Sequence, residues 1–307
     1  MQAQTAKASV SELLLRQRLG ALTRTLIGAR AGDVNAIHQA RVATRRLREA
    51  VGLVPSRSKA RKLERVVRRL TRVLGPVREL DVALLMLDDL QHAGDVPRAA
   101  VACLRQLMAA ERRTLHAEAV KTIDRGDFAR VRQKVLDLEG TGRAPGVVAP
   151  GVRDSGAVRR VARRAERLRA AIDNAAGIYL PDRLHAVRIA VKKLRYAIEV
   201  VRQVGPARPR RARASSKSLR SVNGRLAVLK RAQDLLGRMH DLEILIARTR
   251  AVQASPQSPD LRLSGDLDRL VRRLETDCRL LHGHYMTSRA PLIEICDRIQ
   301  AQAARAA

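Results

Sequence analysis

Two stretches of the sequence carry the same pattern of histidine, arginine and lysine residues. The first runs from His38 to Arg48 and the second from His185 to Arg195, 147 residues later, and five of their eleven positions are identical. These side chains donate hydrogen bonds to phosphate oxygens, and arginine does so through two parallel N–H groups. The pattern therefore predicts two anion-binding segments, and their similarity predicts an internal repeat.

Each stretch places its basic residues on one side of a predicted α-helix, within an arc of roughly 80°. The opposite side is aliphatic, so the helix can pack on a core while its basic side faces outward. The basic residues are His38, Arg41, Arg45 and Arg48 in the first stretch and His185, Arg188, Lys192 and Arg195 in the second. The aliphatic residues are Ala40, Ala43, Leu47, Val51 and Val54, and then Val187, Ala190, Leu194, Ile198 and Val201.

A further basic stripe lies on the helix predicted after the first stretch, within roughly 60° of arc. The corresponding helix of the second half has a weaker stripe, because Asp234 interrupts the face that carries Arg231. Both helices lead into a Leu-Gly motif followed by a basic residue, which is Arg78 in the first half and His240 in the second. The first-half stripe consists of Arg61, Arg65, Arg68 and Arg72.

The overall charge also indicates an anionic partner. The chain of 307 residues has 61 Lys and Arg against 30 Asp and Glu, a formal net charge of +31. A field of this size attracts polyanions. General over-use of arginine on solvated faces would explain scattered arginines, but it does not explain two matching stripes.

The composition predicts a helical protein with an aliphatic core. The sequence is 46% hydrophobic but has no Trp and one Phe, so Leu, Val, Ile and Ala must supply the packing. Its three cysteines are widely spaced, which predicts no disulfide framework or zinc ribbon. The polar N-terminus and the short apolar runs predict no membrane association, and we expect a cytoplasmic protein.

Proline and glycine divide the chain into two predicted halves. The stretch 140–151 predicts a linker between half-repeat 1–140 and half-repeat 152–307 of a single domain, 1–307. Gly75 and Pro76 predict the end of a helix, and the basic segment 205–216 predicts an exposed loop. Helices are predicted over 9–30, from Asp33 or Asn35 to about 55, over 58–74, 77–90, 98–123, 128–138, 155–174, from Pro181, and over 216–236.

These features resemble the CHAD domain, the conserved histidine alpha-helical domain, over nearly the whole chain. The resemblance rests on the two His-x-x-Arg helices with their basic clusters, each followed by a Leu-Gly motif with a basic and an acidic residue. It implies an all-α fold of two pseudo-symmetric helical bundles that enclose a basic central cavity or groove. It also implies binding of inorganic polyphosphate, without cofactors, and targeting to polyphosphate granules, where other granule-associated proteins could be partners.

The resemblance also implies a set of polyphosphate-binding residues in this sequence. His240 stands where the first half has Arg78, so the two halves differ within the motif. The alternating Glu-x-Glu-x-Lys strand of a triphosphate-tunnel domain is not found, so that activity is not implied. The implied residues are His38, Arg41, Arg45, Arg46, Arg48, Arg65, Arg68, Arg72, Arg78, His185, Arg188, Lys192, Lys193, Arg195, Lys230, Arg231 and His240.

The histidines add an expectation about pH. If they keep the reference pKa of about 6.5, protonation adds positive charge below neutrality. Binding of a polyanion would then tighten as the pH drops from about 8 to about 6.

Two other classes of function compete with polyphosphate binding. The same basic faces could grip double-stranded nucleic acid, or bind nucleic acid weakly beside polyphosphate. An enzyme is the second class, and Cys278, His282 and His284 have spacing that a metal site could use, but no further ligand completes it. No phosphate-binding loop of the Walker type occurs either, so we expect no catalysis and no metal.

Overall fold

The computed structural model describes residues 10–51, 57–124, 129–130, 133, 150–175, 177–204, 216–255 and 260–305. Within these residues the chain forms eight α-helices and no strand, so the predicted all-α class is confirmed. The helices are α1 (Val10–Arg30), α2 (Val34–Val51), α3 (Arg57–Ala93), α4 (Arg98–Thr122), α5 (Pro150–Asn174), α6 (Pro181–Val204), α7 (Ser216–Gln253) and α8 (Leu261–Ala304).

Most predicted helix boundaries are close to the observed ones. The two matching stretches lie on α2 and α6, α6 begins at Pro181 as predicted, and α4 ends one residue before its predicted end. Asp33 caps α2 because its Oδ1 accepts a hydrogen bond from the backbone N–H of Ala36 at 2.5 Å. Most of the helix predicted over 128–138, most of the linker 140–151 and the loop 205–215 lie outside the described residues.

Two predicted helix ends are wrong. The helix α3 continues through Gly75 and Pro76 to Ala93, and α7 continues through Gly237 to Gln253. A proline inside a helix costs about 3 kcal/mol. In α3 the aliphatic stripe is fully buried on both sides of the proline, and this burial outweighs the cost. The stripe includes Leu70, Leu74, Val77 and Leu80.

The chain divides into two compact units. The first contains Met1–Leu84 and Leu107–Val147, and the second contains Leu85–Gln106 and Val148–Ala307. This division differs from the predicted half-repeats, because the end of α3 and the start of α4 belong with the second unit. The half-repeats and their pseudo-symmetry stay predictions.

In the first unit, α1 packs against α2. Leu15, Leu22 and Ile37 are buried almost completely, which sets α1 and α2 on a shared core. Gly32 joins these helices with a φ of 85°, a conformation that glycine adopts without strain. The connection therefore turns tightly and brings the start of α2, where His38 lies, beside the other helices of its unit.

In the second unit, α5, α6, α7 and α8 form a four-helix bundle. Each of α5 and α7 packs against both α6 and α8, so the helices form a ring around one core. Leucine, valine and isoleucine dominate that core, as the composition predicts, and one tyrosine is fully buried in it. Its fully buried members include Leu168, Val187, Leu194, Leu229, Tyr285 and Leu292.

Candidate functional site

The aliphatic faces of α2 and α6, the two stripe helices, are mostly buried as predicted, although Ala190 and Val201 are half-buried. On α2, Ala40 and Leu47 have no exposed surface, and on α6 the same is true of Val187 and Leu194. Val54 lies outside the described residues. The basic faces are covered in part rather than fully exposed. Partial burial is found for His38, Arg41, Arg45, Arg46, Arg48, His185, Arg188 and Arg195.

In the first unit, Arg41 reaches from α2 to the backbone of α3. Its Nη1 donates a hydrogen bond to the carbonyl oxygen of Leu74 at 3.3 Å. A Cβ at Gly75 would lie only 2.9 Å from the same Nη1. The glycine of the Leu-Gly motif therefore leaves room for a guanidinium group against the helix, which is a different role from the predicted helix end.

His38 lies among arginines of α2 and α3. Partial burial lowers the pKa of His38, and the charges of Arg78, Arg45 and Arg41 lower it further. Arg78 follows Gly75 by about one turn of α3. The Leu-Gly motif therefore places a cation of α3 beside the basic face of α2. The first unit thus gathers one histidine and three arginines.

In the second unit, His185 lies against the histidine of the other Leu-Gly motif. The Nδ1 atoms of His185 and His240 are 3.2 Å apart, and their ring centroids are 4.5 Å apart. Burial lowers the pKa of His240 to about 4, with contributions from Arg188, His185 and Lys192. Burial also lowers the pKa of His185, again helped by Arg188 and Lys192, while Asp182 opposes the shift.

These shifts change the assumption behind the expectation about pH, and the tightening itself stays a prediction. The predicted tightening of binding between pH 8 and 6 assumed that the histidines keep their reference pKa. The three pKa values are lowered, so His38, His185 and His240 are neutral at pH 7 in the absence of a ligand. Any gain of positive charge from these rings depends on what binds beside them.

The remaining cations of α6 differ in their surroundings. Lys192 is 9% exposed, whereas Lys193 is exposed to solvent. Arg195 forms an ion pair with Glu199 at 3.1 Å and lies 4.9 Å from the ring centroid of Tyr196. Of these three residues, Lys192 is the one that acts on the histidine pair.

Most of the predicted residues outside α2 and α6 are exposed, whereas Arg78 on α3 and His240 on α7 are partly buried. On α3, Arg68 pairs with Glu64 at 2.8 Å, and the two line a shallow cavity of about 390 Å³ with Arg61 and Arg65. On α7, Asp234 is exposed near the predicted basic residues, so the weaker stripe is in place. The exposed residues of the predicted set are Arg65, Arg68, Arg72, Lys193, Lys230 and Arg231.

An acidic residue in the first unit anchors the chain just before its stripe helix. Asp81 is fully buried and accepts a hydrogen bond from Nε of Arg112 at 2.6 Å. The Nη2 of Arg112 donates to the carbonyl oxygen of Gly32 at 2.8 Å, in the turn that leads into α2. Asp81 therefore fixes the start of α2 through Arg112.

Glu243 anchors the segment before α6 in the second unit in a comparable way. It accepts a hydrogen bond from the hydroxyl of Tyr179, which lies in the segment that leads into α6. Asp81 follows Gly75 by six residues, and Glu243 follows Gly237 by six residues. The acidic residue of the repeated motif was visible in the sequence, but its partners were not.

Cys278, His282 and His284, whose spacing a metal site could use, all lie on α8. The described residues contain no group of three or more His, Cys, Asp or Glu side chains that could hold a metal ion. Burial raises the pKa of the Cys278 thiol to about 11. The ring of His282 meets the ring of Tyr179 edge-on, with centroids 5.3 Å apart. Among the described helices, none has the length and apolar character needed to cross a bilayer.

Comparison with known proteins agrees with these features. The chain is similar in structure to the crystal structure of the CHAD domain from the plant Ricinus communis, with a TM-score of 0.60, 20% identity and coverage of 95% and 94% of the two chains. It is also similar to PptA from Streptomyces chartreusis, with a TM-score of 0.61, 16% identity and coverage of 96% and 98%. No curated protein matches the chain. The family model of the CHAD domain matches residues 13–250, and the chain therefore belongs to the CHAD domain family.

Proposed function

We propose that this protein binds inorganic polyphosphate through the basic faces of α2 and α6. The observation that carries the proposal is the same in both units: a helix with a buried aliphatic face gathers histidine and several cations on its other side. Membership of the family and the net charge of +31 support it. The residues that the structure gathers are His38, Arg41, Arg45 and Arg78 in one unit and His185, Arg188, Lys192 and His240 in the other.

The chemistry of these side chains suits a phosphate chain. Polyphosphate repeats a negative charge and has no base edges, so it is recognised by cations at intervals along a face. Arginine donates two parallel hydrogen bonds to one phosphate, and lysine supplies a point charge. By analogy with nucleic acids, release of counterions should drive binding, and affinity should fall steeply with salt.

Competition tests the choice of polyanion. Fluorescent polyphosphate bound to the protein is titrated with unlabelled polyphosphate or with duplex DNA at equal phosphate concentration. We expect polyphosphate to displace the probe at a much lower concentration, because the site is built for a bare phosphate backbone. Displacement by duplex DNA at the same concentration would favour a nucleic-acid-binding protein instead.

A matched pair of variants assigns the binding to the stripe. One variant replaces Arg41, Arg45 and Arg48 by Ala. The control replaces three exposed arginines on other helices, and it removes the same charge. We expect the stripe variant to bind at least tenfold more weakly than the control, since each charged hydrogen bond contributes about 1.5–3 kcal/mol. Equal loss in both would indicate that net charge alone holds the ligand. The control residues are Arg113, Arg279 and Arg298.

We infer a binding role rather than a catalytic one, with the protein at polyphosphate granules in the cell. Incubation of long polyphosphate with the protein and Mg²⁺ or Mn²⁺ should leave the chain length unchanged on a gel. Progressive shortening that requires the metal would contradict the non-catalytic role. A fluorescent fusion should coincide with granules, and the stripe variant should not.

A further inference from the structure

We propose that His185 and His240 act as one proton-accepting unit, which takes up a single proton when a phosphate chain binds beside Arg188 and Lys192. This inference rests on the proposed function and specifies how the same site is regulated. It gives the second unit a positive charge that is present with ligand and absent without it.

The first step of the argument is the geometry of the pair. The two Nδ1 atoms are 3.2 Å apart, which is a hydrogen-bond distance. A neutral imidazole carries its proton on one nitrogen only. One Nδ1 must therefore donate and the other must accept, which fixes opposite tautomers in the two rings.

The second step is the capacity of the pair. One added proton can enter at Nε2 of the donating ring, where it keeps the hydrogen bond and makes it charge-assisted. A second proton would have to enter at the accepting Nδ1. It would break the hydrogen bond and place two imidazolium rings with their centroids 4.5 Å apart. The pair therefore holds one positive charge at most.

The third step is the charge around the pair. Arg188 and Lys192 on α6 disfavour protonation of both rings, and Asp182 on α6 favours it for His185 alone. His185 itself also lowers the pKa of His240, and no charged side chain in the described parts of α5, α7 and α8 contributes to either shift. With partial burial, this field lowers both pKa values and keeps the pair neutral at pH 7. A phosphate anion beside Arg188 and Lys192 would offset their charge and raise the pKa of the pair.

The first unit lacks this arrangement at the corresponding position. Arg78 stands where the second unit has His240, and its guanidinium is charged at any pH of interest. An arginine beside Arg41 and Arg45 is thus accommodated in the first unit. For this reason His240→Arg is a reasonable substitution for removing the proton uptake while keeping a cation.

Calorimetry in two buffers of different ionisation enthalpy measures the protons taken up on binding. The ligand should be polyphosphate of several hundred units, because terminal phosphates titrate near pH 6 and must be few. At pH 6 we expect the wild-type protein to take up protons and the His240→Arg variant to take up fewer, by up to one for each site. The reciprocal control, Arg78→His, should keep the wild-type uptake or increase it.

Two results would overturn the inference while leaving the proposed function intact. The first is tight binding by the wild type with no proton uptake between pH 5.5 and 7. The second is an uptake that His240→Arg leaves unchanged. Absence of polyphosphate binding at every pH would instead overturn the proposed function, and the inference with it.

Nuclear magnetic resonance of the wild-type histidines gives a test that needs no variant. Without ligand, the Cε1–H signals of His185 and His240 should titrate below pH 6.5, and long polyphosphate should move their midpoints upward. Independent titration of both rings near pH 6.5 would contradict a shared proton.

Discussion

The helices α2 and α6 carry the same motif, but the neighbouring helix places a different basic residue beside each of them. Beside α2, Arg78 of α3 adds a charge that does not titrate, and Arg41 lies close to the backbone of the same helix. Beside α6, His240 of α7 pairs with His185, and the pair is neutral at pH 7 without ligand. The comparison teaches that one sequence motif can place a permanent positive charge in one half and, in the other half, a histidine pair whose charge depends on its protonation state.

The two halves also differ in how closely an arginine of the stripe helix approaches the glycine of the Leu-Gly motif. A Cβ at Gly75 would lie 2.9 Å from Nη1 of Arg41, whereas a Cβ at Gly237 would lie 3.9 Å from Nε of Arg188. The first distance requires Arg41 to move, and the second is ordinary contact. The first half therefore holds its arginine more closely than the second.

The largest expected effect is a loss of stability when the acidic residue of each motif is replaced. Replacing Asp81 by Asn leaves the charge of Arg112 without its carboxylate, and loss of one partner of a largely buried ion pair costs about 3 kcal/mol. Replacing Glu243 by Gln keeps an acceptor for the hydroxyl of Tyr179 and should cost about 1 kcal/mol. Urea unfolding of both variants measures the difference. Equal losses would show that the two anchors are equivalent.

A smaller effect, on polyphosphate affinity, is expected when alanine replaces the glycine of each motif. Alanine is the better helix former by about 1 kcal/mol, so both variants should unfold at the same or higher urea concentration than the wild type. Gly75→Ala should nevertheless weaken polyphosphate binding several-fold, because it displaces the guanidinium of Arg41. Gly237→Ala is the matched control and should bind like the wild type. Equal affinities of the two variants would remove this distinction between the halves.

The smallest effect concerns pH and stability. The folded protein lowers the pKa of His38, His185 and His240 below the value of about 6.5 in the unfolded chain. As the pH falls below 6.5, the unfolded chain takes up these protons first, so the free energy of unfolding should decrease. The contribution of these neutral histidines to the free energy of unfolding is fully present above pH 6.5.

Urea unfolding at pH 7.5, 6 and 5 measures this dependence. Because the fold lowers the pKa of His240 to about 4, far from its value in the unfolded chain, His240→Asn should flatten the dependence more than His38→Asn. All three proteins contain the same carboxylates, so the comparison isolates the histidines. A steeper dependence in His240→Asn than in the wild type would contradict the lowered pKa.

The local part of the structure could be predicted from the sequence. The period of Ala40, Ala43 and Leu47 identified the buried face of α2, and Pro181 marked the start of α6. These features depend on residues within a few turns of one another. The family resemblance added the all-α class, which the structure confirms.

Long-range packing explains what the sequence could not show. Gly75 and Pro76 have local preferences for a helix end, but burial of Leu74 and Val77 keeps the helix intact. The contact between His185 and His240 joins residues 55 positions apart and depends on how α6 packs against α7. Lowered pKa values follow from that packing, so the reference pKa of about 6.5 does not hold for these histidines.

The salt dependence of polyphosphate binding tests most directly whether the stripe cations hold the ligand. For a protein that neutralises phosphates, the logarithm of the affinity falls linearly with the logarithm of the salt concentration, by roughly 0.7–0.9 for each phosphate neutralised. Replacing Arg41, Arg45, Arg188 and Lys192 by Ala should therefore make this slope shallower by about three. An unchanged slope would contradict the account, because the ligand would then lie on charges elsewhere in the protein.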